Sequence, residues 1–357
     1  MPIHFNHQLG TQFSPLQHKA IKEAYQIVYA FAGAEKKDHF IFTSSGAEGV
    51  NHAVFAAYLD ITRKTGKNHF LCSSLDEAPA IMAMSRLQEL GCVFQMIPAD
   101  SKGQVSVKSV AEMITPRTAM LSLSWATALT GVLQPVAEIA EVCRDRGVLF
   151  HVEASHVLGK GDFSFEGSCA DILTFQGKPT GGGLFFRENV SMSPFILGGN
   201  EQAGMRGGHL HFSQITELAK WAKEELASKD HYGMEIARLR ALFEQQICFK
   251  IPSAKPLFQK SQRVPHISCF LFPKAASDAL YFLLHHKGVE ATFGGGRLQH
   301  LSHILKACHF SDYETQCGLS FGFSSDLVEE EIHLAVEHIV ETVCKLQKCS
   351  GGLCDEL

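Results

Sequence analysis

The chain has 357 residues, of which 45% are hydrophobic, and carries a formal net charge of -5 with a pI of about 6.4. This length and apolar fraction allow one large domain and a smaller one, each with a buried core. The acidic balance gives no electrostatic reason to expect binding to nucleic acid or to an anionic membrane, and both classes of partner are set aside.

The N-terminal sequence and the cysteines indicate the compartment. Residues 1–7 lack the basic start and apolar stretch of a signal peptide, and no apolar run reaches the roughly 18 residues of a membrane span. We therefore expect a cytosolic protein. The 11 cysteines form no CxxC pair, which favours reduced thiols over a disulfide framework. Cys344, Cys349 and Cys354 leave two interpretations open, a metal or sulfur-handling tail and an unstructured tail with incidental thiols.

Residues 41–186 alternate short apolar runs with amphipathic stretches, which predicts a mostly parallel sheet covered by helices. In one clear unit, the helical stripe of residues 81–87 ends at Gly91, and residues 93–97 read as the next strand.

A second unit repeats this design and ends at a carboxylate. The helical stripe of residues 136–143 ends at Gly147, and residues 148–152 read as a buried strand that runs out at Glu153. Open α/β sheets bind ligands at the carboxyl ends of their strands, so Glu153 is a candidate site residue.

The rest of the chain predicts a second lobe. A helical pattern over residues 212–228 leads into a region with a strand near 266–272 and a closing helix over 328–346. We expect an α/β fold with a large domain of residues 1–225, including an N-terminal arm, and a smaller α+β domain of residues 226–357.

Four segments carry the functional signal, and their order and spacing matter more than any one of them. They are FTSSGAE at residues 42–48, HVEASH at 151–156, GKPTGGG at 177–183 and GGNEQAGMRGG at 198–208. Together, from about residue 38 to 345, they resemble the cysteine desulfurases, or NifS-like proteins, of the class V aminotransferase family. The resemblance implies the fold-type I architecture with pyridoxal phosphate as cofactor.

Such chemistry needs a Schiff-base lysine, a carboxylate at the pyridine nitrogen and helix N-terminal amides for the phosphate. The turn at residues 44–47 follows a strand and opens a helix, so its amides either face an anion or form a plain strand-to-helix turn. The resemblance implies that Gly46 and Ala47 lie at the phosphate, with Ala47 in place of a threonine.

Around the cofactor ring, several residues depart from the family. The resemblance places Glu153 where an aspartate contacts the pyridine nitrogen, and His156 where a glutamine contacts the phenolic oxygen. A histidine satisfied at a strand end is the alternative for His156. Glu77 stands where a histidine stacks on the ring; a carboxylate cannot stack and repels phosphate. Ala128 stands in place of an asparagine.

Lys178 is the candidate Schiff-base lysine, because no other lysine lies in its loop. The resemblance implies this role, and implies that Thr174 and Gln176 lie against the cofactor, although the loop is about five residues shorter than in the family. An exposed loop lysine is the alternative. The run of glycines at 181–183 predicts a loop that is hard to hold rigid.

The segment around Arg206 matches the family best. In relatives it reaches the cofactor phosphate of the neighbouring subunit, so the resemblance implies a homodimer. His209 stands where a threonine is expected and can still donate to a phosphate.

Two replacements concern the substrate. Ser320 aligns with the arginine that pairs with the substrate carboxylate, and the loop of residues 292–297 lacks the persulfide cysteine, which leaves Arg297 as a substrate candidate. Cys308 falls in a helical pattern and is expected to be a buried structural thiol. Arg297, His300 and His303 suit either an anion or metal site or a polar helix face.

Two functions from different classes follow. One is a pyridoxal-phosphate enzyme acting on cysteine or another amino acid through Lys178. The other is a divergent paralogue with impaired or lost desulfurase activity, a folded dimer that serves as a binding or regulatory subunit with an iron–sulfur scaffold protein as candidate partner.

Overall fold

The computed structural model of the protein describes residues 15–209, 211–296 and 298–354. Most of the predicted N-terminal arm and the candidate Arg297 lie outside the described residues.

A seven-stranded sheet forms the first half of the chain. Its strands are β1 (His39–Thr43), β2 (His69–Ser73), β3 (Val93–Ile97), β4 (Thr118–Ser124), β5 (Leu149–Glu153), β6 (Ile172–Gln176) and β7 (Gly182–Phe186). The order is β1-β7-β6-β5-β4-β2-β3, and the pairings β6–β5, β5–β4, β4–β2 and β2–β3 are all parallel, whereas β7 is antiparallel to both of its neighbours. The predicted mostly parallel α/β sheet is confirmed.

A three-stranded antiparallel sheet follows later in the chain. Its strands are β8 (Lys255–Pro256), β9 (Ile267–Leu271) and β10 (Gly318–Gly322), in the order β10-β9-β8. Its apolar residues pack with long helices into a core of their own. We propose residues 225 and 226 as the domain boundary, which lies in the last turn of the helix that ends at Ala227.

Helices cover both sheets. They are α1 (Pro15–Ala32), α2 (Gly46–Ala57), α3 (Arg63–Thr65), α4 (Ala78–Leu87), α5 (Val107–Met113), α6 (Val136–Asp145), α7 (Phe165–Ser168), α8 (Phe212–Ala227), α9 (Lys229–His231), α10 (Ala237–Lys250), α11 (Ser277–His285), α12 (Leu301–Ala307), α13 (Asp312–Thr315) and α14 (Glu329–Cys354). In the described part of the chain, none of them is both long and apolar enough to cross a membrane.

The local predictions hold because each rests on a short-range signal. Gly91 and Gly147 have φ angles of +83° and +59°, the left-handed conformation that ends a helix and that glycine adopts without strain. The closing helix is longer than predicted, since α14 continues to Cys354. Of the two interpretations of the C-terminal thiols, an unstructured tail is therefore wrong for residues 347–354.

The expected flexibility of the glycine run at 181–183 is also wrong. Gly182 and Gly183 are buried residues of β7, paired with β1 on one side and β6 on the other. A Cβ on Gly183 would lie 2.4 Å from Cε2 of Phe40 and 2.5 Å from Cε1 of Phe175. These glycines therefore permit close packing; they do not loosen a loop.

Candidate functional site

One face of the large sheet carries a row of polar side chains at the carboxyl ends of three parallel strands. Residues paired across neighbouring strands point to the same face, and every second residue of a strand returns to that face. The row consists of Ser122 and Ser124 on β4, His151 and Glu153 on β5, and Thr174 and Gln176 on β6. Helix α2 lies over it, since a Cβ on Gly49 would sit 3.2 Å from Cγ2 of Thr174.

Glu153 is the acidic centre of this row. One carboxylate oxygen, Oε1, accepts hydrogen bonds from the backbone N–H of Ser155 at 3.1 Å and from its hydroxyl. The other, Oε2, is buried and has no hydrogen-bond partner. Burial, and then the negative charge of Glu77, raise the pKa of Glu153 to about 7. An unpartnered buried carboxylate oxygen is a position where a ligand N–H or O–H would be stabilised.

Glu77 and His156 form an ion pair at the mouth of the site. Nε2 of His156 lies 2.9 Å from Oε1 of Glu77, which is the N-terminal cap residue of α4. Burial lowers the pKa of His156, but the hydrogen bond and charge of Glu77 outweigh it, and the net shift is upward. The imidazole of His156 is therefore engaged with Glu77. The sequence patterns did not predict this pair.

The predicted strand-to-helix turn is present, and its amides have protein partners. Ser45 is the N-cap of α2, and its side chain accepts from the backbone N–H of Glu48. The N–H of Gly46 donates to Oε1 of Gln176 at 2.6 Å, and the N–H of Ser44 donates to Oε2 of Glu48 at 2.8 Å. Three of the donors at this helix start are thus satisfied by side chains of the protein itself.

Gln176 is fixed on this turn by its amide group. Nε2 donates to the carbonyls of Gly177 at 2.9 Å and Gly181 at 2.8 Å, while a Cβ on Gly46 would lie only 3.1 Å from Cβ of Gln176. The side chain therefore lies directly between the β6–β7 hairpin and the first turn of α2.

Arg206 contacts the same turn from outside. Nε and Nη2 lie 2.9 and 3.3 Å from the two carboxylate oxygens of Glu48, a bidentate pairing. Although burial opposes it, this pair and the Ser44 amide hold the pKa of Glu48 below its usual value. His209 is exposed and, with Arg206 and Ser44, lines a cavity of about 220 Å³ on this outer side. A phosphate contact by either residue stays a prediction.

Thr174 and Ala128 contribute packing and hydrogen bonds to the fold. Oγ1 of Thr174 lies 2.8 Å from Nε2 of His151, whose Nδ1 lies 2.8 Å from Oγ of Ser122. Burial lowers the pKa of His151 to about 3, so its imidazole is neutral at physiological pH. Ala128 is half-buried and lines the large cavity described next.

Lys178 lies on the β6–β7 hairpin, at residues 177–181, and faces a cavity of about 1000 Å³. The side chain is exposed, and among the described residues it has no hydrogen-bond or ion-pair partner. A smaller cavity of about 220 Å³, lined by Glu153, Gly46 and Ala47, shares Glu77 and Gln176 with the large one. The two candidate groups for Schiff-base chemistry, Lys178 and Glu153, thus border adjoining cavities.

Four residues that the sequence did not single out form a charged and aromatic cluster at the large cavity. They are Lys160, Glu225, Tyr232 and His266. Lys160 forms an ion pair with Glu225, and its ammonium lies 3.8 Å from the centroid of the Tyr232 ring. No local pattern signals this cluster, because its members are spread along the chain from residue 160 to residue 266 and meet only in the fold.

The substrate candidates lie apart from this row. Ser320 is buried in the middle of β10, and its backbone exchanges hydrogen bonds of 2.7 and 2.9 Å with Thr292. His300 is the N-cap of α12, and its ring lies edge to face against that of His303, with centroids 6.4 Å apart. Cys308 is buried, as expected. Among the described residues, no group of three or more metal-ligating side chains is arranged to hold an ion.

Comparison with known proteins places this geometry in a family. A family model described as aminotransferase class-V matches residues 6–326. The chain belongs to the class V aminotransferase family. Among its curated relatives, a cysteine desulfurase of Nostoc sp. is 28% identical, over 98% of this chain and 88% of the relative. The cysteine desulfurase NifS of Azotobacter vinelandii is also 28% identical, over 96% of this chain and 86% of the relative.

Solved structures confirm the fold. A NifS-like protein superposes with a TM-score of 0.86 at 20% identity, covering 94% of this chain and 90% of that one. A NifS-like protein from Rickettsia africae superposes with a TM-score of 0.81 at 17% identity, covering 93% and 91%. The chain is thus a cysteine-desulfurase-like class V aminotransferase in fold and sequence.

Membership of this family implies pyridoxal phosphate, and the residues can be tested against it. The unpartnered Oε2 of Glu153 fits a protonated ring nitrogen. The phosphate does not fit, because the Gly46 amide is bonded to Gln176 and the Ser44 amide to Glu48. The ring face does not fit either, because Glu77 presents a carboxylate engaged with His156. Taken together, the residues as arranged do not fit the cofactor.

Proposed function

We propose that this chain is a cysteine-desulfurase-like protein with impaired or lost desulfurase activity that serves as a homodimeric binding or regulatory subunit. The observation that carries this proposal is the 2.6 Å hydrogen bond from the Gly46 amide to Oε1 of Gln176. It engages a donor that a phosphate would need, and releasing it costs on the order of 1 kcal/mol before any phosphate contact is gained.

Three further features support the loss of activity. Glu77 puts a negative charge next to Glu153 at the ring position. Ser320 is a buried strand residue where the resemblance expects an arginine. The loop of residues 292–297 contains no cysteine. Catalytic groups that act as a unit lose most of their effect when several members are replaced.

The competing function, a pyridoxal-phosphate enzyme with Lys178 as Schiff-base lysine, is favoured by one observation. Lys178 and the unpartnered oxygen of Glu153 border adjoining cavities. A lysine for the Schiff base and a carboxylate for the pyridine nitrogen are therefore both present. A direct binding measurement separates the two functions.

We expect the purified protein to retain no pyridoxal phosphate. After incubation with the cofactor and removal of the free excess, neither the wild type nor Lys178→Ala should show a visible absorbance band, and borohydride should fix none to the chain. A ligand that binds only the folded state raises the melting temperature. Because we expect no binding, the melting temperature should not rise when the cofactor is added. The Azotobacter vinelandii relative, treated in parallel, serves as the positive control.

A band in the wild type that is absent from Lys178→Ala would overturn this proposal and establish the competing one. A band that survives in Lys178→Ala would show that the cofactor binds without Lys178, and would also count against a cofactor-free protein.

The homodimer is supported by an apolar residue beside Arg206. The segment that ends at Gly207 is closed by a hydrogen bond of 2.8 Å from the Gly207 N–H to the Ile196 carbonyl, and next to it Leu197 is 81% exposed. We take this exposed leucine as part of the proposed dimer interface. An iron–sulfur scaffold partner follows from the resemblance, and a cytosolic location completes the proposal.

We expect Leu197→Asp to shift the protein from dimer to monomer, because a carboxylate is costly at an apolar interface. Sedimentation velocity at one protein concentration measures this. Leu334→Asp is the matched control, since Leu334 is an exposed leucine of α14. A wild type that sediments as a monomer, or a Leu197→Asp variant that stays dimeric, would contradict the proposed interface.

A further inference from the structure

The loop that carries Leu197 is attached to the edge of the large sheet by a side chain. Strand β1 is an edge of this sheet, and among the described residues its one partner strand is β7. The backbone N–H of Phe42 donates to Oε1 of Gln202 at 2.7 Å, and Nε2 of Gln202 donates to the Phe42 carbonyl at 2.9 Å. A neighbouring antiparallel strand would make this pair of bonds through its own backbone. The carboxamide of Gln202 therefore takes the place of one residue of a further strand.

Gln202 lies in a turn whose backbone is otherwise unfavourable. Gln202, Ala203 and Gly204 have φ angles of +49°, +59° and +78°, so three consecutive residues are left-handed. Side chains other than glycine crowd the backbone in this conformation, and such residues persist where surrounding contacts compensate. The hydrogen bonds between Gln202 and Phe42 are contacts of this kind, and they hold the turn in shape.

The two ends of the loop are closed on each other. The backbone N–H of Gly207 donates to the Ile196 carbonyl at 2.8 Å, and a Cβ on Gly207 would lie 2.6 Å from Cα of Gly198. The two chain segments thus touch backbone to backbone, and we call residues 196–207 the closed loop. Leu197, at its start, is 81% exposed.

Among the described residues, two polar side chains anchor the closed loop to the large domain. Arg206 forms an ion pair with Glu48 of α2, and Gln202 forms the hydrogen bonds with β1. The ion pair fixes the end of the loop, whereas the hydrogen bonds of Gln202 fix the turn in its middle.

We propose that Gln202 is the positioning residue of the dimer interface: by pairing with the outer edge of β1, it holds the closed loop in the shape that presents Leu197 to a second copy of the chain. This inference rests on the proposed homodimer and assigns a residue that builds its surface.

The reason that such an anchor matters is conformational freedom. A loop that is already ordered loses less freedom on association than a mobile one, so its affinity for a partner is higher. Without the carboxamide of Gln202, the N–H and carbonyl of Phe42 lose their partner, and the left-handed turn loses its compensating contacts. The closed loop then opens in part of the molecules, and association must order it again. Loss of Gln202 is therefore expected to weaken the dimer without unfolding the protein.

Trypsin detects the opening of the loop. Arg206 is the only lysine or arginine between Arg187 and Lys220, so a cut after it reports on this loop alone. In Gln202→Met, whose side chain has the same length and cannot pair, cleavage after Arg206 should be about tenfold faster than in the wild type, as expected for two lost neutral hydrogen bonds. Mass spectrometry identifies the cut. Cleavage after Arg187 and Lys220 should keep its wild-type rate, because only a general loss of structure would accelerate all three.

Sedimentation velocity over a series of protein concentrations measures the dimer. The dissociation constant of the Gln202→Met dimer should rise about tenfold above that of the wild type. Gln202→Asn separates the side chain from the backbone, since asparagine adopts the left-handed conformation more readily than most residues but is one methylene too short to pair with Phe42. It should behave as Gln202→Met does in both assays.

Gln245→Met is the matched control, because Gln245 is an exposed glutamine of α10. It should match the wild type in both assays. A wild-type dimer whose Gln202→Met variant resists trypsin, or dimerises as tightly, would overturn the inference and leave the proposed homodimer standing. Wild-type behaviour of Gln202→Asn would also overturn it, because pairing with Phe42 would then not hold the loop. A wild type that is monomeric throughout the series would refute the proposed homodimer, and the inference with it.

Discussion

Replacing Gly182 with alanine is expected to lower the free energy of unfolding by about 3 kcal/mol or more, at the upper end of what overpacking costs. The added Cβ would lie 2.7 Å from the carbonyl oxygen of Phe175, 2.7 Å from the carbonyl carbon of Ser45 and 2.8 Å from the backbone nitrogen of Gly46. All three are backbone atoms, so no side-chain rotation relieves the contact. Either β7 or the start of α2 must move.

Urea unfolding at neutral pH measures this change, with the denaturant dependence of the free energy expected to stay constant. Gly233→Ala is the control, because a Cβ there meets nothing within 4 Å and alanine in a helical segment is expected to be neutral or stabilising by roughly 0.5–1 kcal/mol. If Gly182→Ala unfolded at the wild-type urea concentration, the close approach of β7 to the turn would be refuted.

Local sequence patterns predicted part of this fold correctly and one part wrongly. Helices and strands could be predicted because their signals are local: a stripe of apolar residues and a glycine at its end place β3 at residues 93–97. Glu153 could be placed at a ligand-binding edge because a strand ends there. The glycine run at 181–183 was wrongly predicted to be flexible, because sequence does not distinguish a glycine needed for mobility from one needed for close contact.

The site itself was predictable only in its parts. Each candidate was named from its position in a motif, but the partner that decides what it does is distant in the chain. Gln176 bonds to Gly46 across 130 residues, and His156 meets Glu77 across 79. No periodicity encodes such pairs, since they depend on where three strands and two helix starts meet.

Replacing Glu153 with glutamine is expected to stabilise the protein, by an amount that grows with pH. The folded-state pKa of about 7 lies above the ordinary value of 4.5, so the folded protein binds the proton more tightly than the unfolded chain does. The contribution of Glu153 to wild-type stability must therefore fall as pH rises from about 4.5 to about 7, and then level off. Glutamine is neutral throughout and escapes this loss.

The difference in unfolding free energy should be small at pH 4.5 and reach on the order of 3 kcal/mol at pH 8, since each unit of pKa shift corresponds to about 1.4 kcal/mol. Urea titrations at several pH values measure it. The control is Glu217→Gln, at an exposed position of α8. There the difference should be close to zero at every pH.

This pH dependence bears on function as well as on stability. A carboxyl with a pKa of about 7 is protonated in a large fraction of molecules near neutrality, and a protonated carboxyl no longer offers the negative charge that holds a ring nitrogen in its protonated form. A difference that is the same at pH 4.5 and pH 8 would mean that Glu153 is ionised throughout. The carboxylate would then be available to a cofactor ring, in favour of the competing function.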